Sequence, residues 1–369
     1  MYSEINPNKF IGEILICVGT GNDQIPLIKV ACELGFTVIA FDQNPNKICQ
    51  NWNVQLIKCS TYEYKKAIFL IDKLLKDKKP IGVINRSSGP ACISAAMICK
   101  KYKISSITSE IALASAEKSK LYKDCVSNNI LSPKILKLKK FQDLQWGNYV
   151  IKPDIPIIGK QNVYKPNSSQ EAKVYFNRAK DESFNNIVNI QQYVYGIDLI
   201  VFAFCFEGNI KKLIILEELV ALNDGSFEGI GLFIPPIISS LKLSKSLITI
   251  IKKLLVFWKI KSNIISFSFR VDDKLSPWLY EVNSGLCGDN IISNLLPKAY
   301  NCSSKDFYII DILFSVGIKK TIKLKFKEEV CLYKDNLMTK EEGLIAISNS
   351  SICKELIMRR NYFKNLLIK

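Results

Sequence analysis

Histidine is absent from all 369 residues. That absence excludes a Ser-His or Cys-His nucleophile pair, an HExxH zinc site and an imidazole general base. Any catalysis therefore rests on Lys, Arg, carboxylates, amides, hydroxyls, thiols or a bound metal. No CxxC pair occurs among the twelve cysteines, which stand singly in apolar runs such as ILICVG and VFAFCF. They read as reduced core thiols, not a zinc or disulfide framework, and so point to a reducing cytoplasm. No segment reaches the ~20 uncharged apolar residues of a membrane span. The opening MYSEINPNKF has neither the basic nor the apolar region of a secretory leader, so a soluble, unexported protein is expected.

Acidic residues are also in deficit, with 34 Asp+Glu against 51 Lys+Arg and a formal net charge of +17. The lysines run from Lys9 to Lys369 without a dense Arg-rich block interleaved with aromatics. The surplus reads as a solvated surface and disfavours a nucleic-acid partner, while small anions such as nucleotides suit its sign. With 48% hydrophobic and 23% charged residues, the composition is that of a globular protein. The length suggests two or three domains at ~100–200 residues each.

Alternating strands and helices dominate the first third. EILICVG, a helical period from Pro26 to Leu34, and FTVIAFD make a βαβ unit; a helical stretch from Tyr64 to Lys76, the run IGVINRSS and a helix from Ala91 to Tyr102 continue it. The pattern predicts a parallel sheet covered on both faces. A single helix is expected over Ile111 to Asn128. Strand-like runs follow in NYVIKP, NIVNIQQYV, DLIVFAFCF, KKLIILEELV, IISFSFRV and WLYEVN, with helices over Ser169–Asp181 and Leu243–Trp258. The overall class is α/β followed by α+β. From Gly317 the chain turns basic and less patterned, and reads as a small surface appendage.

Two sets of residues carry candidate chemistry. GTGN at 19–22 lies between a strand and a helix, where free N–H groups can hold an anion. Asp42 follows at about the 20-residue spacing of a ribose-binding acid, although Gln24 replaces the third glycine of a dinucleotide fingerprint. A nicotinamide-dependent oxidoreductase thus stays open beside a plain βαβ turn. The second set occurs in order: AEKSKLYKDC with Lys118, YVIKP with Lys152, IIGKQNV with Gly159 and Lys160, QQYVYGID, and WLYEVN. In WLYEVN, Glu281 and Asn283 alternate onto one strand face with oxygens spaced to suit Mg²⁺. The loop NRSSGP sits at the carboxyl edge of a strand, making Arg86, Ser87 and Ser88 candidates for substrate recognition or a simple capping turn.

Over about residues 12–315 this ordered set resembles the ATP-grasp superfamily of carboxylate-amine ligases. The resemblance implies a pre-ATP-grasp parallel-sheet domain over 1–110 and an ATP-grasp domain over 111–316, with subdomains of about 111–190 and 191–316 before the 317–369 appendage. It implies ATP and Mg²⁺ as cofactors. Lys118 and Lys152 would contact ATP, and Gly159 and Lys160 would belong to a flexible phosphate loop, glycine-poor here. Main-chain groups of Gln192 and Val194 would read adenine, Gln191 its exocyclic amine and Asp198 the ribose. Glu281 and Asn283 would hold the metal, with Lys152, Glu281 and Asn283 as the catalytic set.

Four positions depart from the family pattern. Glu117 precedes Lys118 where Asp is usual, Ser268 stands where a further metal carboxylate is expected, Gly285 replaces an arginine and Leu232 a histidine. Asp289 offers one compensating charge. The implied activity is ligation of a small carboxylic acid to an amine through an acyl-phosphate, with release of ADP and phosphate. A catalytically impaired ATP-binding pseudoenzyme or regulatory subunit is the alternative. Partners would be the two small substrates and no membrane, with a homodimer left open.

Overall fold

In a computed structural model, residues 9–136, 144–157, 162–286, 290–319, 321–333 and 336–339 are described. The N-terminal unit is a parallel sheet of order β3-β2-β1-β4, formed by β1 (Ile14–Val18), β2 (Thr37–Asp42), β3 (Val54–Lys58) and β4 (Pro80–Asn85). Alternate residues of β1 point to opposite faces. Ile14, Ile16 and Val18 pack toward α2 (Tyr64–Leu75) and α3 (Pro90–Tyr102), whereas Leu15 and Cys17 pack toward α1 (Ile25–Glu33). Both faces are covered, as the continuous apolar runs require.

The stretch expected as one helix is two, α4 (Ser109–Ala116) and α5 (Lys118–Ser127), broken where Glu117 adopts extended angles. The reason is external to the helices: the Asp154 carboxylate accepts from the Ser119 N–H at 2.7 Å, and its carbonyl accepts from the Lys118 N–H at 3.1 Å. A group from a later strand thus caps α5, whose own N-cap side chain makes no capping bond.

A small sheet of order β5-β7-β6 follows, from β5 (Ile135–Leu136), β6 (Tyr149–Pro153) and β7 (Val188–Gln192), with α6 (Ser169–Asp181) packed on it. The large antiparallel sheet has the order β12-β11-β8-β9-β10-β13-β14. Its strands are β8 (Ile197–Phe206), β9 (Asn209–Asn223), β10 (Ser226–Ile234), β11 (Ser262–Val271), β12 (Pro277–Ser284), β13 (Val330–Tyr333) and β14 (Asn336–Thr339). β8 is buried along its whole length, so it lacks the alternation of a half-exposed strand. Its odd-numbered residues meet α7 (Leu241–Phe257) and Trp258. Its even-numbered apolar residues meet a helical segment absent from the sequence reading, a π-turn at Ile291–Leu295 leading into α8 (Leu296–Tyr300) and α9 (Ser304–Ser315).

The basic C-terminal stretch is not wholly a surface appendage. β13 is hydrogen-bonded to β10, and Val330, Cys331 and Leu332 are buried. The β9–β10 hairpin reaches the small sheet: Lys165 N–H donates to the Gly225 carbonyl at 2.7 Å, Phe227 N–H donates to that of Val163 at 3.1 Å, and Tyr164 bridges to Ser226. Gly225 has φ +74°, and a Cβ there would lie 2.2 Å from the Tyr175 hydroxyl, so this tip requires glycine.

Candidate active site

One end of the large sheet and the inner edge of the small sheet enclose a cleft of about 880 Å³, within the roughly 300–1,000 Å³ typical of ligand sites. Lys118, Lys152, Gln191, Gln192, Val194, Asp198 and Glu281 all line it. They come from α5, β6, β7 and its exit, β8 and β12.

Lys118 opens α5, and its Nζ lies 2.8 Å from Glu281 Oε1, with the two side chains 11% and 19% exposed. The anchor that sets its position is Asp154, buried and accepting also from Ser119 Oγ, Asn185 and Asn189. Removing that carboxylate leaves several buried donors without an acceptor. Asp154→Ala is therefore expected to lose about 1–3 kcal/mol of stability and to weaken ligand binding at Lys118, with Asp154→Asn intermediate; thermal melts and a nucleotide titration check both.

Lys152 is buried and makes no side-chain hydrogen bond or ion pair among the described residues. Burial, reinforced by the Lys118 charge, lowers its pKa to about 7, with Glu281 and Asp154 opposing the shift. A desolvated ammonium at a cleft wall is a receptor for an anion.

The chain from β7 into β8 presents mixed groups. The Gln191 side-chain amide donates to the Pro133 carbonyl at 2.9 Å, which directs its oxygen as the remaining acceptor. Gln192 N–H donates to the Lys134 carbonyl at 2.9 Å, and the Val194 carbonyl accepts from Arg270 at 3.2 Å. Val194 N–H makes no hydrogen bond among the described residues. Asp198, assigned by the resemblance to ribose, has both oxygens held by Arg270, through Nε at 2.8 Å and through Nη2. Arg270 also lies over the Tyr193 ring, which stacks on Phe227 at 5.6 Å. Glu218 sits across the ladder from Asp198 and lines the same wall.

Glu281 and Asn283 share a face of β12, but Asn283, half-buried, does not line the cleft. Ser268 is directly opposite Glu281 on β11 and is buried. Leu232 lines the cleft as an apolar residue. Gly285 has φ +95°, and a Cβ there would lie 2.6 Å from the Asn85 carbonyl oxygen, so the contact between the N-terminal unit and the β12 exit admits no arginine side chain. Gly159, Lys160 and Asp289 lie outside the described residues.

The substrate candidates of the N-terminal unit do not line the cleft. Arg86 donates to the carbonyls of Asp23 at 2.6 Å and Leu286 at 3.3 Å and lies over Tyr308, joining the first sheet to α9 and the β12 exit. Ser87 accepts from Gln24, and Ser88 is exposed. Asp42 accepts from the Thr20 and Asn44 N–H groups at 2.8 and 3.0 Å, closing the glycine turn from within. Sequence reasoning missed Asp154, Glu218 and Arg270. Arg270 was legible in part, since strand alternation puts it on the face of Ser268.

A metal fits this site only with help. Among the described residues no group of three or more His, Cys, Asp or Glu could hold one. Glu281 provides one carboxylate, already bonded to Lys118. That suffices for Mg²⁺ delivered on phosphates, which binds through one or two carboxylates and keeps waters.

No protein-family model and no curated protein matches the sequence. Solved structures do match. The L-amino acid ligase of Bacillus licheniformis is 14% identical, with a TM-score of 0.70 over 88% of this chain and 80% of that one. The phosphoribosylglycinamide synthetase of Anaerococcus prevotii is 17% identical, with a TM-score of 0.62 over 86% and 80%. The N5-carboxyaminoimidazole synthetase of Staphylococcus aureus, complexed with ADP, is 11% identical, with a TM-score of 0.66 over 88% and 82%. All are ATP-grasp enzymes, and with its parallel-sheet unit followed by a small and a large antiparallel sheet this chain has the ATP-grasp fold.

Proposed function

We propose that the protein is an ATP-dependent ligase that joins a small carboxylic acid to an amine. The observation that carries this reading is the convergence of Lys118, Lys152 and Glu281 on one cleft bordered by the Gln191–Val194 edge. Adenine would lie against that edge, with the Val194 N–H as donor and the Gln191 side-chain oxygen as acceptor. Its triphosphate would extend toward the two lysines. Glu281, which lines the cleft, would hold Mg²⁺ on the phosphates, where the ion supplies charge neutralisation.

A carboxylate oxygen of the acid attacks the γ-phosphorus in line, the bond to the β-phosphate oxygen breaks, and ADP leaves. Lys118 and Lys152 offset the charge spread over the transferring group. The amine lone pair then attacks the acyl-phosphate carbonyl, phosphate departs with the C–O pair, and the nitrogen loses its proton to solvent. Closure of the cleft would keep water from the anhydride.

Mg-ATP is expected to raise the melting temperature, and Lys152→Ala to diminish that shift. ADP release against a pool of amino, hydroxy and sugar acids with amines tests turnover, which Glu281→Ala should abolish. An unchanged melting curve at millimolar Mg-ATP refutes the reading. One observation favours a second reading, a nucleotide-binding protein without turnover: a neutral hydroxyl, Ser268, stands opposite Glu281 on the neighbouring strand. A melting shift without ADP release for any acid-amine pair supports it. The ten described cysteines are all free, which supports a reducing, cytoplasmic setting. Among the described residues no helix is long and apolar enough to cross a membrane.

A further inference from the structure

Residues 193–196 cross from β7 of the small sheet to β8 of the large one. At the start of the crossing, Tyr193 N–H donates to the Asn148 carbonyl at 2.8 Å. At its end, Gly196 presses so closely on β11 that a Cβ would collide with the Val271 carbonyl oxygen. Between these points the Val194 carbonyl is fastened to the large sheet by Arg270 Nη1, at 3.2 Å. The same guanidinium donates through Nε and Nη2 to Asp198, its direct neighbour across the β8–β11 ladder, and lies 5.1, 5.9 and 6.0 Å from the ring centres of Tyr193, Phe227 and Tyr280. One planar group thus touches the crossing segment, β8, the β9–β10 hairpin and β12, and it does so at the wall of the cleft.

We propose that Arg270 is the positioning residue of the base-reading edge. By holding the Val194 carbonyl against β11, it sets where the Val194 N–H, the donor assigned to adenine above, stands relative to the large sheet. The phosphates lie toward Lys118 and Lys152, on α5 and β6, and their binding does not depend on that bond. Arg270 therefore governs the base half of nucleotide affinity and not the phosphate half. The task requires a guanidinium, whose planar fork bonds both oxygens of a carboxylate and a carbonyl beyond them at once. A lysine in its place is a compact point charge: it keeps the charge opposite Asp198 but releases Val194. Arg270 acts on the ligand only through the main chain that it holds.

This inference rests on the nucleotide reading above, and the experiment separates the two. The full-length chain is titrated with ADP by calorimetry, and with tripolyphosphate, which carries phosphates and no base, by its competition with ADP. Wild type that binds neither ligand overturns the nucleotide reading itself. Wild type that binds ADP but not tripolyphosphate overturns the division into base and phosphate halves, and with it the role of Arg270. In Arg270→Lys the affinity for ADP is expected to fall about tenfold, the order of one hydrogen bond to a charged group, while that for tripolyphosphate changes less than about twofold. A purely structural arginine would lower both together, so equal losses, or an unchanged affinity for ADP, overturn the assignment while leaving nucleotide binding intact. Where Arg270→Lys fails to fold by circular dichroism, the double variant Asp198→Leu with Arg270→Met, which removes both charges of the pair, takes its place in the same comparison, with the same results expected and the same results overturning the assignment.

Discussion

Replacing Lys152 by methionine is expected to make the unliganded protein more stable below pH 7 and to abolish its response to nucleotide. The side chain is buried and its pKa lies at about 7 against an ordinary 10.5. Between those values the unfolded chain holds a proton that the folded chain has released, so wild-type stability rises with pH across that window. Below about pH 7 the folded state carries the buried cation at full penalty. At about 1.4 kcal/mol per tenfold, that gap corresponds to roughly 4–5 kcal/mol as an upper bound. The methionine variant avoids the penalty, so its advantage is largest below pH 7 and vanishes toward pH 10.5. Chemical denaturation at pH 6 and pH 10 reads the difference; equal stability gains at both refute the assignment.

The same lysine predicts proton uptake. Phosphate favours the charged form, so above pH 7 nucleotide binding must draw a proton onto Lys152. At pH 8 to 9 free nucleotide phosphates, with a second pKa near ~6, have none to exchange. Calorimetry in buffers of different ionisation enthalpy should register up to one proton taken up per nucleotide, and none in Lys152→Met.

Breaking the Asp198–Arg270 pair should destabilise the protein most among single changes at the cleft. Both side chains are largely shielded, 5% and 15% exposed, and joined by two parallel hydrogen bonds. Removing either partner leaves an uncompensated charge, which costs about 3–5 kcal/mol for a buried pair. Asp198→Leu and Arg270→Met are each expected to lose that much, and the double variant to recover most of it. A double-mutant cycle on urea midpoints measures the recovery; additive losses would mean the two residues act independently.

Much of this was legible in the chain. The parallel unit and the strands carrying Lys152, Gln191 and Glu281 show as apolar runs with clear ends, and the fixed order of the lysine, glutamine and acid-amide segments pointed to their meeting. What escaped depends on long-range contacts. The break at Glu117 comes from Asp154, a residue on a different element. Asp198 is paired with Arg270, 72 positions away. β13 and β14 hide in a basic stretch because each contributes only four residues to the sheet, too few to show a period. The helices after Asn290 lie against two sheets at once, so their outer stripe is apolar too and periodicity is blurred.

The hairpin tip at Gly225 ties the two walls of the cleft together. The small sheet is joined to the β9–β10 hairpin by the bonds from Lys165 and Phe227 and to α5 by the Asp154 link, so the wall that carries Lys152 and Gln191 is braced at two separate points.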